Sequence, residues 1–231
     1  MENVRFFSPC GESMICMIDD RQDVWNYAPA LIEVRPYFYF KDKDASDNNQ
    51  EDNDDYLPYL ENVLKRIHTE YYSRYEAYQR KEIAEVPDLS KIIPELRRKT
   101  LEGTTIVFSG LVPQGSALPI IAEYHCAQGL GAKVEKNVVL RSANANCTTH
   151  LIATKTRTKK AFIARQDKDI HIVTPSWLWS CWYHWEREEE FLFSLNDDIP
   201  EEMISERPAK RPRLEEPIDL GSSQPQGWGN D

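Results

Sequence analysis

IVTPSWLWSC, residues 172–181, runs from apolar residues through Thr-Pro-Ser into a tryptophan-rich segment. Ile172 and Val173 end a short apolar run, and a helix-forming stretch rich in tryptophan follows, so the pattern predicts a strand over 171–173 and a helix over 176–185. Trp177 and Cys181 lie four positions apart on that helix and share a face. A buried indole at 177 leaves space only for a small side chain on the next turn, which Cys181 supplies. Trp179, Trp182 and Trp185 cannot all point the same way, so some of them must meet the helix of residues 56–85 or another domain.

Outward from this stretch the chain alternates between strand and helix. THLIAT (149–154) predicts a strand over 150–153, with a helix over 159–165 after it. GLGAKV (129–134) joins a helix over 119–130 to a strand near 133–134, and FSG (108–110) closes a strand over 104–109. Alternation of this kind implies an α/β domain over 96–196 with a parallel sheet flanked by helices. The turn at 129–132 supplies a helix C-cap and a close approach of helix to strand through Gly131. Gly110, Gly129 and Gly131 do not form G-x-G-x-x-G after the first strand, which argues against a dinucleotide site.

The rest of the chain is of a different character. Of its 231 residues, 41% are hydrophobic and 11% aromatic, enough for a real core. The net charge of -10 is unevenly spread: 42–55 hold seven acids and one lysine, 197–231 hold nine acids and four bases, and 96–195 hold thirteen bases and nine acids. The central domain is thus mildly basic and suited to an anionic partner, although nothing points to direct nucleic-acid binding. Five scattered cysteines without C-x-x-C spacing read as reduced thiols, and the dispersed histidines suggest no transition-metal site. No apolar stretch approaches the roughly 20 residues that cross a bilayer, so no membrane partner is expected.

SMICMI, LIEV and PYFYF within 1–41 read as three short strands, too few to bury two faces and therefore the end of a larger α/β domain. The polar run 42–55 lacks large apolar residues, and its composition predicts a disordered linker. Over 56–86 the period becomes helical, with Leu57, Leu60, Leu64, Ile67, Tyr71 and Tyr75 on one stripe, so a long connecting helix is expected. Residues 197–231 lose all periodicity and read as a disordered tail.

The ordered series FSG, GLGAKV, THLIAT and IVTPSWLWSC resembles a BRCT domain, in which Trp177, Cys181 and Gly131 would be structural. BRCT modules commonly bind phosphopeptides through a Ser or Thr ending the first strand, the next backbone N–H and a lysine opening the second helix. The resemblance thus assigns Ser109, Gly110 and Lys160 to phosphate, with Lys159 as the alternative in register. A hydroxyl, a backbone donor and an ammonium are sensible anion ligands.

With that domain downstream, PCGESMICMIDDRQDVWNYAPALIEVRPYFYF, the acidic gap and DDYLPYLENVLKRIH resemble the carboxyl-terminal half of the TFIIF-associating phosphatases that act on the C-terminal repeats of RNA polymerase II. In that family a phosphatase domain of the haloacid-dehalogenase type precedes BRCT. The resemblance implies that Asp20 ligates Mg²⁺ and Asp19 orients it or its waters, hard oxygens for a hard cation. It also implies an aspartyl-phosphate mechanism that needs an earlier D-x-D-x-T. Only eighteen residues precede Asp19 and none forms that motif, so this chain alone is expected to lack turnover and to bind Mg²⁺ weakly or not at all. Asp42-Lys43-Asp44-Ala45-Ser46 imitates the motif but follows the acidic pair and opens into a linker-like run.

ERPAKRPRLEE (206–216) places Lys210, Arg211 and Arg213 together, which resembles a nuclear-import signal. The expected function is a portion of a nuclear protein serine/threonine phosphatase. Its expected partners are the polymerase repeats, TFIIF and phosphoproteins. The competing reading is a non-catalytic nuclear BRCT adaptor for phosphoserine peptides.

Overall fold

The computed structural model describes residues 12–37, 56–112, 117–118, 121–141 and 147–195. In chain order these contain β1 (Met17–Asp19), β2 (Leu31–Glu33), α1 (Tyr56–Gln79), α2 (Leu89–Arg98), β3 (Thr105–Ser109), α3 (Ala122–Gly129), β4 (Lys133–Glu135), β5 (His150–Ala153), α4 (Lys159–Ala164), β6 (His171–Val173) and α5 (Pro175–His184), then a 3-10 turn at Glu190–Phe193. The four later strands form one parallel sheet in the order β4-β3-β5-β6, with Phe108 opposite Ile152 and Ile152 opposite Val173. This is the α/β class read from the strand and helix alternation.

Side chains alternate across the sheet, as a pleated strand requires. Ile106, Phe108, Ile152 and Val173 face α3 and α5 and pack on Trp177, Leu178 and Cys181. Val107, Leu151 and Ala153 face the other way, onto Ala161 and Ala164 of α4 and onto Leu195. Phe108, Leu151 and Leu178 are fully enclosed. Each such side chain contributes about 1.5–3 kcal/mol of burial free energy.

α5 begins with Pro175 in its first turn, where a missing N–H costs nothing. Trp177 is completely buried, stacks on His150 with ring centroids 4.5 Å apart, and donates its Nε1–H to the Glu188 carbonyl at 2.9 Å. Cys181, also fully buried, accepts the Glu188 N–H at 3.4 Å. A larger residue at 181 would therefore push away the chain returning past the helix. Burial drives the Cys181 thiol up to about 12, so it is inert as a nucleophile.

The connecting helix departs from its expected limits. It stops at Gln79, and a second helix, α2, follows over Leu89–Arg98. Lys81 adopts a left-handed conformation (φ 61°), with Lys81 N–H bonded to Tyr78 O and Glu82 N–H to Ala77 O, both at 2.9 Å. These are the two reverse bonds of a Schellman stop, made here without glycine. α2 starts at Asp88, whose carboxylate accepts the Ser90 N–H at 2.8 Å, and it carries Pro94 in its interior, a residue that argues against helix in any sequence reading. The buried stripe of α1 is also rotated from the expected one. Tyr56, Val63, Ile67 and Tyr71 are buried, whereas Leu57 is 62% exposed.

At the N-terminal end, β1 and β2 pair in parallel, Met17 with Leu31 and Asp19 with Glu33. The third expected strand is not formed through Tyr37, and residues 38–40 lie outside the described residues. So do the acidic run 42–55, the segment 196–231 and Lys210, Arg211 and Arg213.

The C-terminal end of α5 meets the helical pair. Trp182 donates its Nε1–H to Glu33 Oε2 at 2.8 Å, and the Arg97 guanidinium of α2 lies 4.4 Å above the Trp182 ring. Trp185 is buried among Ile32, Val63, Ile67 and Ile93. Of the four tryptophans on this stretch, Trp177 thus faces the sheet, while Trp182 and Trp185 meet α1, α2 and β2.

Candidate functional site

The end of β3 and the start of α4 bring polar groups together. Lys160 Nζ donates to the Phe108 carbonyl at 2.8 Å, which holds the ammonium beside Ser109. Ser109 Oγ and Thr158 Oγ1 share a hydrogen bond of 2.8 Å, and Thr158 caps α4 by accepting the Ala161 N–H at 3.1 Å. Gly110 turns the chain away from the strand at φ 81°, and a Cβ there would stand 2.5 Å from Thr154 Oγ1. Glycine is therefore required on both conformational and steric grounds.

Burial lowers the Lys160 pKa, and the neighbouring Lys136 lowers it further. An anion placed beside the ammonium would favour its charged form and so offset both effects. Ser109 is only 5% exposed, so an incoming phosphate would reach it by replacing Thr158. Lys159, the alternative in register, is exposed and takes no part in these bonds.

Ser109, Gly110 and Lys160, the residues that the BRCT resemblance assigns to phosphate, thus lie together. Thr158 and Lys136 escape the sequence reading. Thr158 does carry a signal, because a Thr immediately before a helix is a preferred cap. No local signal marks Lys136, which approaches through the tertiary fold.

The acidic pair sits elsewhere, at the end of β1. Asp19 accepts the Arg21 N–H on Oδ1 at 2.9 Å, and its carbonyl accepts the Val34 N–H at 3.1 Å. Arg21 turns away to pair with Asp23 at 2.8 Å, leaving Asp20 half-buried at the strand end. Their oxygens are of the right type for a hard cation. Among the described residues, however, no group of three or more His, Cys, Asp or Glu side chains gathers there. Two carboxylates from one segment do not by themselves close a Mg²⁺ site.

Comparison with known proteins adds kinship to geometry. The BRCA1 C Terminus (BRCT) domain family matches residues 97–182. The human phosphatase of the RNA polymerase II C-terminal domain is 42% identical over 161 residues, covering 70% of this chain and 17% of that protein. Its namesake from Caenorhabditis elegans is 32% identical over 209 residues, covering 85% of this chain and 30% of that one. The chain therefore spans less than a third of either relative. A solved structure of Fcp1, an essential RNA polymerase II CTD phosphatase, superposes with a TM-score of 0.66 at 28% identity, covering 84% of this chain and 63% of that one. A second, of an Fcp1 variant bound to beryllium fluoride, gives a TM-score of 0.65 at 27% identity, covering 84% of this chain and 64% of that one. By sequence and by fold, this chain is similar to a stretch of the RNA polymerase II C-terminal domain phosphatases, and its residues 97–182 match the BRCT domain family.

Proposed function

We propose that the chain is the substrate-handling portion of a nuclear, Mg²⁺-dependent phosphatase acting on the C-terminal repeats of RNA polymerase II. The observation that carries this reading is the 42% identity to the human phosphatase, extending well outside the BRCT domain. The BRCT pocket of Ser109, Gly110 and Lys160 holds phosphoserine in the repeats or in other phosphoproteins, the phosphate taking the place of Thr158 on the Ser109 hydroxyl. Asp20 and Asp19 supply two carboxylates to a metal centre, and the D-x-D-x-T nucleophile motif does not occur in these 231 residues. When bound, Mg²⁺ would screen the phosphoryl oxygens during transfer. Lys210, Arg211 and Arg213 supply the nuclear address, and TFIIF is a partner expected of the family.

Titrating the chain with a phosphoserine heptad peptide and Mg²⁺ tests both halves. Binding is expected without phosphate release. Lys160→Ala should weaken binding on the order of tenfold, the loss of one charge-assisted hydrogen bond, while Lys159→Ala leaves it nearly unchanged. Equal loss in both variants points to a diffuse basic surface, and release of phosphate by the chain alone refutes the division of labour.

A further inference from the structure

α4 buries Ala161 and Ala164 against the sheet but presents Phe162 at 69% exposure and Ile163 at 38%. Arg157, Lys159, Phe162, Ile163 and Arg165 line an open groove along this helix, so apolar and cationic side chains share its lining. Isolated apolar residues on a surface need no explanation, but an adjoining pair in a groove shared with three bases suits an acidic, apolar segment.

The chain itself supplies such a segment at a suitable point. Ser194 bridges antiparallel to Val173, Leu195 N–H bonds to Ile172 O at 3.1 Å, and the Leu195 side chain is buried in the same cluster as Ala161 and Ala164. The described chain therefore ends on the α4 side of the sheet. The next stretch, DDIPEEMISE (197–206), carries five acids, no base, and Ile199, Met203 and Ile204. Met203 lies eight positions beyond Leu195, a reach of about 26 Å when extended. α4 itself is only about 9 Å long at six residues.

We propose that residues 197–206 dock in the α4 groove, their apolar side chains covering Phe162 and Ile163 and their carboxylates facing Arg157, Lys159 and Arg165. Thr158, which bonds to Ser109, also lines the groove. The docked segment therefore borders the anion pocket and places negative charge beside it. Docking does not depend on whether that pocket takes phosphate.

The test is photocrosslinking in the full chain with benzoylphenylalanine installed at position 162, an exposed site that tolerates the change. Peptide mapping is expected to find the crosslink on 197–206 of the same molecule. Tethering alone would give some crosslinking, so two variants with the same tether are compared: Glu201→Lys with Glu202→Lys, and Ile199→Ser with Met203→Ser and Ile204→Ser. Each is expected to reduce the yield several-fold. Unchanged yields in these variants, a crosslink to another segment, a crosslink between two copies, or no crosslink at all would each overturn the proposal.

Discussion

Two residues end helices in the same left-handed conformation with opposite chemistry. Gly131 follows α3 at φ 92°, with its N–H bonded to Gln128 O and the Ala132 N–H to Ala127 O, both at 3.0 Å. A Cβ there would lie 1.9 Å from the Arg98 carbonyl, so α2 and α3 approach through that missing atom. Gly131→Ala combines backbone strain with a clash against main chain and is expected to cost ~2 kcal/mol or more. Lys81 makes the corresponding stop after α1 at φ 61°. Lys81→Gly should relieve strain and stabilise the protein by about 0.5–1 kcal/mol. Urea midpoints of the two variants check both signs, and a neutral Gly131→Ala would mean that α2 yields to the new methyl. The sequence displays the first stop and hides the second for the same reason. Gly at a helix end is a local signal, while Lys81 is held by bonds that only the completed turn provides.

At the scale of elements, the 3-10 turn at Glu190–Phe193 is held to the sheet by a buried histidine. His150 in β5 has no exposure, places Nε2 3.1 Å from Glu190 Oε1 and Nδ1 2.8 Å from Thr149 Oγ1, and stacks between Trp177 and His171. Desolvation brings its pKa down to about 4, against the pull of Glu190, with Arg187 and His171 also disfavouring the charged form. Desolvation raises Glu190, but its own N–H, His150 and Arg187 together hold it at about 2. His150 is therefore neutral when folded, while the unfolded chain takes up the proton near its ordinary value of 6.5. Stability present above that value is lost as pH falls from about 6.5 to about 4, by ~3 kcal/mol for a shift of this size. Denaturation midpoints between pH 7 and pH 4.5 should show the loss, and His150→Gln should flatten it. The same slope in His150→Gln would assign the effect to other groups. Nothing in the sequence singles out His150 among five dispersed histidines, because its partners come from β6, α5 and the turn. β3 and β5 are legible because each is a compact apolar run, whereas β4 (Lys133–Glu135) has a single apolar residue and is marked only by the glycine turn before it. The boundary of α1 and the existence of α2 are less legible, since Lys81 and Pro94 contradict their own local preferences.

Across the whole molecule, β2, α1 and α2 are continuous with the BRCT core. Tyr56 and Leu60 of α1 pack on the sheet cluster, while Val63 and Ile67 pack on Trp185, so one helix serves both cores. The junction is also polar. Arg66 donates to the Trp185 carbonyl at 3.0 Å, Tyr59 stacks on His184 with centroids 3.8 Å apart, and Glu33 holds Trp182. Arg97, its pKa lowered by desolvation, lies against Trp182 and Trp185 at 4.4 and 5.8 Å. A guanidinium over indole is worth about 0.5–2 kcal/mol, more when desolvated. The surplus of tryptophans on one helix showed that a second contact must exist. The stripe alone could not locate it, because positions 56, 63, 67 and 71 and positions 57, 64, 67 and 71 both repeat at helical spacing. Only the neighbours choose between them. Shared side chains of this kind couple the two cores, so helix melting and exposure of the buried tryptophans should occur in one transition. Far-UV circular dichroism, dominated by α1 and α2, and tryptophan fluorescence, dominated by α5, are expected to give coincident thermal curves. Trp185→Ala removes a side chain that belongs to the helical core and should cost about 3–5 kcal/mol. It should do so by separating the curves, the helical signal melting first, because α1 retains only Tyr56, Tyr59 and Leu60 against the sheet. Separate transitions in the unmodified chain would instead make the helical pair an independent unit resting on the BRCT domain.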